Sequence, residues 1–307
     1  MFKGDNIAPP LEAALRDLGL KMVWDPQTIS ADIVILHNPS FLKFQSRLGT
    51  QIIARHLIVV THENFLRPGA VEAFDVAACL EQIDRGSIAL QKSIVPVSQY
   101  NRSTVEDWLL RHRASGNWSL LDVDWFNICS FSFMQPNHFP EDRRGRHSRA
   151  GFEKFPSIED LDICFPKHAQ SNIIIGADTF MKEKLNRPHW KMIPFRGIDI
   201  DKYFEMIDFM VYFTSSTWRE SFGRVVAEAI AAGKVVITDP GTASTFSGAA
   251  IPASPSEIDG IIQAFISDPP RYSEYVRKAQ ETLLAFSADV FQRRFSGFLQ
   301  SLPGARS

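Results

Sequence analysis

Apolar positions along this chain follow two alternating periods. Leu11, Ala14, Leu15 and Leu18 recur at helical spacing and Gly19 follows as a stop, which predicts an opening helix. ADIVILHNP is then a short, β-branched run closed by Pro39, the pattern of a strand buried on both faces. RHLIVVTHENF repeats that design at 55–65, and the segment between the two, with Phe44, Leu48, Ile52 and Ile53, is helix-sized. GAVEAFDVAACLEQIDRG reads as a helix, SIVPVS as a strand, and SQYNRSTVEDWLLRH as a helix opened by a polar cap. Continuously apolar strands separated by helices predict a parallel α/β sheet.

Over 114–143 the pattern loosens into Asn, Ser, Pro and aromatic residues, which reads as the end of one domain and a linker. The alternation then resumes with the strands NIIIGA, WKMIPF, DFMVYF and KVVITDP, and with a helix through RVVAEAIAAG. SEYVRKAQETLLAFSADVFQRRFSGFLQSL closes the chain as an amphipathic helical stretch. No motif repeats at a fixed period, which excludes solenoids and propellers. The expected class is therefore α/β, with two Rossmann-like domains facing across a cleft. The expected division is 1–135, 136–285, and a C-terminal helix at 286–307 that crosses back to the first domain.

Composition narrows the function classes. The 307 residues are 45% hydrophobic and 22% charged, which excludes a disordered or low-complexity protein. A net charge of −2 argues against a nucleic-acid partner and against more than peripheral contact with an anionic membrane. No apolar run approaches the roughly 18 residues of a membrane span. MFKGDNIAPP lacks the apolar stretch of a signal peptide. Cys79, Cys129 and Cys164 are too far apart for a CxxC zinc pair and too few for a disulfide framework. A reduced, cytoplasmic protein is expected.

The chemistry concentrates in DFMVYFTSSTWRESFGRVVAEAIAAGKVVITDPG, residues 208–241. A buried strand ends in the polar loop Thr214–Arg219, which runs into a helix starting near Ser221, Phe222 and Gly223 and stopping at Gly233. A helix start leaves backbone N–H groups unpaired and carries partial positive charge, so it favours phosphate. Glu220 precedes that helix and Glu228 lies inside it, so the two carboxylates can address two ends of one ligand. A phosphate site between carboxylates that suit vicinal hydroxyls points to a sugar nucleotide. From spacing alone, a solvated pair of glutamates on an ordinary helix stays open.

RESFGRVVAEAIAAGKVVITDPG resembles the E-x7-E signature of retaining glycosyltransferases of the GT-B fold, with Glu220, Phe222, Gly223, Glu228, Ala229, Ala231 and Gly233 in register. The resemblance implies that Glu220 lies at the donor sugar, that Glu228 holds the ribose, and that the amides of Ser221, Phe222 and Gly223 hold the pyrophosphate. It also places the base near Met192–Phe195, at Pro194 and Phe195. RRGRHSRAGFEKFP resembles the G-R…K element that follows the first strand of the second GT-B domain, with Lys154 and either Arg146 or Arg149 on the diphosphate. A solvated basic linker or a nucleic-acid patch are the other readings of that run. His62 closes LIVVTH where parallel sheets bind ligands, and the family carries a histidine there, near the donor sugar. A structural histidine is the alternative, and His37, closing VILHNP, occupies the same kind of position.

Asp122-Val-Asp124 and Asp199-Ile-Asp201 match the short DxD metal pattern, which arises by chance in a chain this rich in Asp. No His/Asp/Glu cluster at ligand spacing accompanies them, so neither a metal nor a cofactor is expected. GxSxG, Walker A and GxGxxG are absent. The expected function is transfer of a sugar from a nucleoside-diphosphate sugar, with retention, to a glycan, lipid-linked or small-molecule acceptor, in a setting such as surface polysaccharide synthesis. The alternatives are a catalytically inactive GT-B protein that binds sugar nucleotides, and an interaction protein using 143–154 on nucleic acid or anionic lipid. The family's first strand and glycine-rich loop have no clear counterpart, Gly4 being the one remnant.

Overall fold

The computed structural model describes residues 9–302 apart from 46, 113–117, 125, 126, 128, 130 and 131. The chain divides into two compact units, residues 1–130 with 285–307, and residues 131–284. Gly4 lies outside the described residues.

In the first unit, helix α1 (Pro9–Asp17) precedes strands β1 (Thr28–His37) and β2 (Gln51–Thr61). Helix α2 (Val76–Arg85), strand β3 (Ser87–Pro96), helix α3 (Gln99–Arg111) and strand β4 (Trp118–Leu120) follow. The four strands are parallel and lie in the order β1-β2-β3-β4, with Val34 opposite Leu57 and Val59 opposite Ile94. Leu57, Val59 and Ile94 pack with Val76, Leu80, Ile83 and Trp108 on one face. Ile58, Val60, Val95 and Val97 pack with Ala14 and Leu15 on the other. Ser98 caps α3 by accepting from the Asn101 N–H, the polar cap the sequence predicts.

Among the described residues no α-helix lies between the first two strands, where a helix-sized segment was expected. A single 3-10 turn, Ser40–Lys43, stands there, and Ile52 and Ile53 belong to β2. Ile52 is 2% exposed and Ile53 49%, so the beginning of β2 is covered on one face only. Its alternation of period two is too short to stand out from a helical pattern. β3 begins well before the predicted SIVPVS, and β4 lies within the segment read as linker. Among the described residues no strand precedes Thr28.

In the second unit six parallel strands lie in the order β10-β9-β8-β5-β6-β7. They are β5 (Arg143–His147), β6 (Ser171–Ile175), β7 (Lys191–Ile193), β8 (Phe209–Tyr212), β9 (Val235–Thr238) and β10 (Ile251–Pro252). The connecting helices are α4 (Ile158–Cys164), α5 (Asp178–Lys182), α6 (Ile200–Glu205), α7 (Arg224–Ala231), α8 (Pro240–Ser244), α9 (Ile258–Ile266) and α10 (Pro269–Leu283). Ile174, Phe209, Val211, Val235 and Ile237 pack with Leu161 of α4, Ile258, Ile262 and Phe265 of α9, and Tyr272 and Val276 of α10.

Only the second part of the basic run, with Arg149 and Lys154, follows the unit's first strand. Arg143–His147 is itself that strand, β5, in the middle of the sheet. It tolerates arginines because each finds partners. Arg143 makes a bidentate pair with Asp208, at 2.7 and 3.0 Å. Arg144, fully buried, donates to Asp142, Asp259 and the Cys164 carbonyl.

The closing helical stretch is two helices, α10 and α11 (Ala288–Ser301), the second opened by Ser287, whose side chain accepts from Val290 N–H. Phe291 and Phe295 of α11 complete the first unit's second face beside Ala14, Leu15 and Val60. Among the described residues no helix is long and apolar enough to cross a membrane.

The turn after β6 fixes the loop after β5. Gly176 has φ +86°, and a Cβ there would lie 2.2 Å from the Ser148 carbonyl oxygen. Gly176→Ala should therefore lower the unfolding free energy by about 2–4 kcal/mol, from backbone strain and displacement together. Urea titration would measure this, and an unchanged midpoint would show that the two loops separate freely.

Three imidazoles at the carboxyl ends of strands are shielded from water. Burial lowers the pKa of His37 to about 3, with a contribution from His62, and that of His62 to about 4. Burial and then the neighbouring Arg146 lower His147 to about 4. The unfolded chain takes up these protons below about pH 6.5, whereas the folded chain refuses them until near pH 4. Their stabilisation is therefore complete above pH 6.5 and lost as pH falls. The melting temperature should drop between pH 6.5 and 5, above the range of ordinary carboxylates, and His147→Gln should flatten that drop. A melting temperature that stays level over the window in the wild type would show that these rings protonate in place.

Candidate functional site

The carboxyl edge of the second sheet gathers the residues of interest. β8 ends in Tyr212, the Phe213–Phe222 loop carries Glu220, and α7 begins after Gly223. Gly223 caps the helix in the left-handed region, φ 87° and ψ 53°, which a side chain would disfavour. Across from this loop, a 3-10 turn after β5, Phe152–Lys154, supplies Lys154.

These elements meet at one carboxylate. The Lys154 Nζ donates to Glu220 Oε1 at 2.5 Å, and the Tyr212 hydroxyl donates to the same oxygen at 2.7 Å. The Lys154 and Glu220 side chains are only 10% and 15% exposed, so this is a shielded, charge-assisted contact. The Lys154 Nζ also lies 5.3 Å from the centre of the Trp218 ring. Burial raises the Tyr212 phenol well above its ordinary value, and the Glu220 charge adds to this, so the hydroxyl remains a donor.

Arg146 lies beneath this cluster, fully buried. Its Nη1 donates to the Phe213 carbonyl at 3.1 Å and its Nη2 donates to the Lys154 carbonyl. Its guanidinium carbon is 4.0 Å from the Phe155 ring centre and 5.2 Å from that of Tyr212. Arg149 is 64% exposed in its side chain and lies 3.9 Å from Glu153. The two arginines that sequence reasoning leaves open thus occupy opposite environments.

Glu228 projects from α7, where its Oε1 accepts from Arg224 Nε at 3.1 Å. Burial raises its pKa, opposed by Arg224. Ser221 is partly covered and Phe222 is buried, its ring 5.5 Å from that of Phe246. Pro194 and Phe195 are exposed beyond the end of β7, and the Phe195 N–H donates to Asp178 at 2.9 Å. His62 belongs to the first unit, where it follows β2 and its Nε2 lies 3.2 Å from the His37 Nε2, so one imidazole donates and the other accepts.

Sequence reasoning missed Tyr212 and Arg219. Tyr212 carries the one hydroxyl in an otherwise apolar strand, which is a readable signal. Arg219 braces the loop by donating to the Ser215 and Trp218 carbonyls and by pairing with Asp239 at 3.0 Å. A cleft of about 420 Å³ opens beside this loop, lined by Thr214, Arg219 and Asp239. A roomier hollow of about 720 Å³ lies by α9 and α10 and includes none of the candidate site residues.

Both DxD pairs have structural employment. Asp199 caps α6, accepting from the Asp201 and Lys202 N–H groups, and Asp124 accepts from Arg102 at 2.8 Å. Among the described residues no group of three or more His, Cys, Asp or Glu side chains is arranged to hold a metal ion.

No protein-family model matches the chain and no curated protein matches it. Solved structures do. HepE from Anabaena, in complex with UDP, aligns with TM-score 0.60 at 17% identity over 82% of this chain and 79% of its own. The pneumococcal O-GlcNAc transferase GtfA, in complex with UDP and GlcNAc, aligns with TM-score 0.55 at 14% identity over 85% of this chain and 58% of its own. TarM from S. aureus, solved with UDP, aligns with TM-score 0.55 at 15% identity over 82% of this chain and 56% of its own. With its two parallel α/β units, this chain has the GT-B fold.

Proposed function

We propose that this protein is a metal-independent glycosyltransferase that takes its sugar from a nucleoside-diphosphate donor and transfers it with retention. The observation that carries the reading is Glu220, held by Lys154 and Tyr212 at the start of α7, with Glu228 one helical face further on. A helix start and a shielded ammonium favour a diphosphate, and two carboxylates favour hydroxyls. The GT-B fold supports the same conclusion, and so do relatives of that fold solved with UDP or UDP-glucose.

In this reading Arg149 and Lys154 address the diphosphate, since the Arg146 guanidinium is committed to two carbonyls. The amides of Ser221, Phe222 and Gly223 share that charge, Glu228 takes the ribose and Glu220 takes the donor sugar. Pro194 and Phe195 border the base. Positive groups fixed before reaction stabilise the diphosphate as it departs and require no reorganisation when charge develops. The departing phosphate can accept the proton of the acceptor hydroxyl, so no separate side-chain base is needed. The acceptor is a glycan, a lipid-linked sugar or a small molecule, and the setting is surface-glycan assembly on the cytoplasmic side.

The test is a thermal-shift panel of UDP, GDP, dTDP, ADP and their sugar conjugates. One nucleotide and its conjugate should raise the melting temperature, because a ligand that binds only the folded state stabilises it. Lys154→Ala should weaken binding of that nucleoside diphosphate by about 2–3 kcal/mol, as loss of a charge-assisted contact does. No shift with any compound would end the donor reading. Glu220→Gln should abolish sugar transfer while leaving the melting temperature within a few degrees, and wild-type turnover in that variant would remove Glu220 from the site. A wild type that binds donor but turns over no sugar with any acceptor would be a catalytically inactive sugar-nucleotide-binding protein.

A further inference from the structure

We infer that Tyr212 is a positioning residue that holds Glu220 toward the donor sugar once Lys154 has been drawn to the diphosphate. This rests on the donor reading above. Both donors to Glu220 converge on Oε1, and among the described residues Oε2 accepts no hydrogen bond. The carboxylate is thus fixed by one oxygen and presents the other. The two donors are not equivalent. Lys154 is an ammonium on a flexible stem, and an incoming diphosphate competes for it. Tyr212 ends a buried strand, is 1% exposed, and cannot leave.

The surroundings of Tyr212 fix it on every side. Its carbonyl accepts from the Thr238 hydroxyl at 2.5 Å, and its ring lies 5.2 Å from the Arg146 guanidinium carbon. Arg146 also donates to the carbonyl of the next residue, Phe213, at 3.1 Å. When Lys154 transfers its charge to phosphate, Glu220 would lose its ion-pair partner and be free to rotate. The Tyr212 hydrogen bond is the contact that survives this exchange and keeps Oε2 in place for a sugar hydroxyl.

Tyr212→Phe removes the hydroxyl and retains the ring against Arg146. Binding of UDP and of UDP-glucose would be measured by calorimetry in the wild type, Tyr212→Phe, Glu220→Gln and the double variant. Tyr212→Phe should bind UDP within about twofold of the wild type and UDP-glucose about tenfold more weakly, the range of one hydrogen bond to a charged group. The double variant should bind UDP-glucose no more weakly than Glu220→Gln alone, because the hydroxyl acts only through Glu220. Equal losses for UDP and UDP-glucose would overturn the inference in favour of general structural damage. A wild type that binds both ligands, with Tyr212→Phe indistinguishable from it, would overturn the Tyr212 role alone. A wild type that binds neither these two nor the GDP, dTDP and ADP pairs of the panel would overturn the donor reading and the Tyr212 role with it.

Discussion

Arg146 brings a full positive charge into the middle of a sheet, on a strand hydrogen-bonded to neighbours on both sides. Taking a guanidinium out of water costs several kcal/mol unless its protons are matched. None of the described ion pairs involves Arg146, and burial pulls its pKa below the ordinary arginine value. Compensation comes from the carbonyls of Phe213 and Lys154 and from the faces of Phe155 and Tyr212. Those partners come from the loop after β5, from the end of β8 and from the loop after it. The buried Nε has no hydrogen-bond partner among the described residues, so it is the two Nη groups that tie the two loops together.

The candidate site inherits that tie. Lys154 lies on one of the clamped loops and Glu220 on the other, so their contact follows from backbone already held below it. Arg219 stiffens the second loop from its far side, through its own carbonyl contacts and Asp239. A site built this way has its charged groups in position before any ligand arrives, and that preorganisation is what makes electrostatic stabilisation effective.

Much of the fold was legible because strands such as LIVVT and VVIT are buried along their whole length, whereas in ADIVILH, expected to be buried on both faces, only Val34 is buried. The reading failed where burial was one-sided or charge entered a strand. Residues 51–55 alternate between solvent and core at the beginning of β2, a signal too short to stand out from a helical pattern. RRGRH reads as part of a phosphate-facing element, or else as a solvated linker, because the partners that make it a strand, Asp208, Asp259 and the Phe213 carbonyl, are remote in sequence. The same remoteness left Arg146 and Arg149 indistinguishable by spacing. Glu220 and Glu228 were visible because one loop-to-helix corner encodes both. Tyr212 offered only a lone hydroxyl in an apolar strand, and its partner depends on how that corner folds back over β8.

The two glutamates of the corner differ in a way their spacing hides. Glu220 is shielded and shares one oxygen between an ammonium and a buried phenol. Glu228 is paired with Arg224, four residues earlier on α7, whose side chain is 59% exposed. An exposed helical pair of this kind contributes only a few tenths of a kcal/mol, so Arg224 yields readily to a competing donor. Burial already disfavours the charged form of Glu228, which makes its carboxylate receptive to hydroxyl donors that replace water. A ligand reaching across this corner would thus meet one carboxylate locked before it arrives and another released by its arrival. In the proposed reading that asymmetry would let the locked end set geometry while the exchangeable end adds affinity.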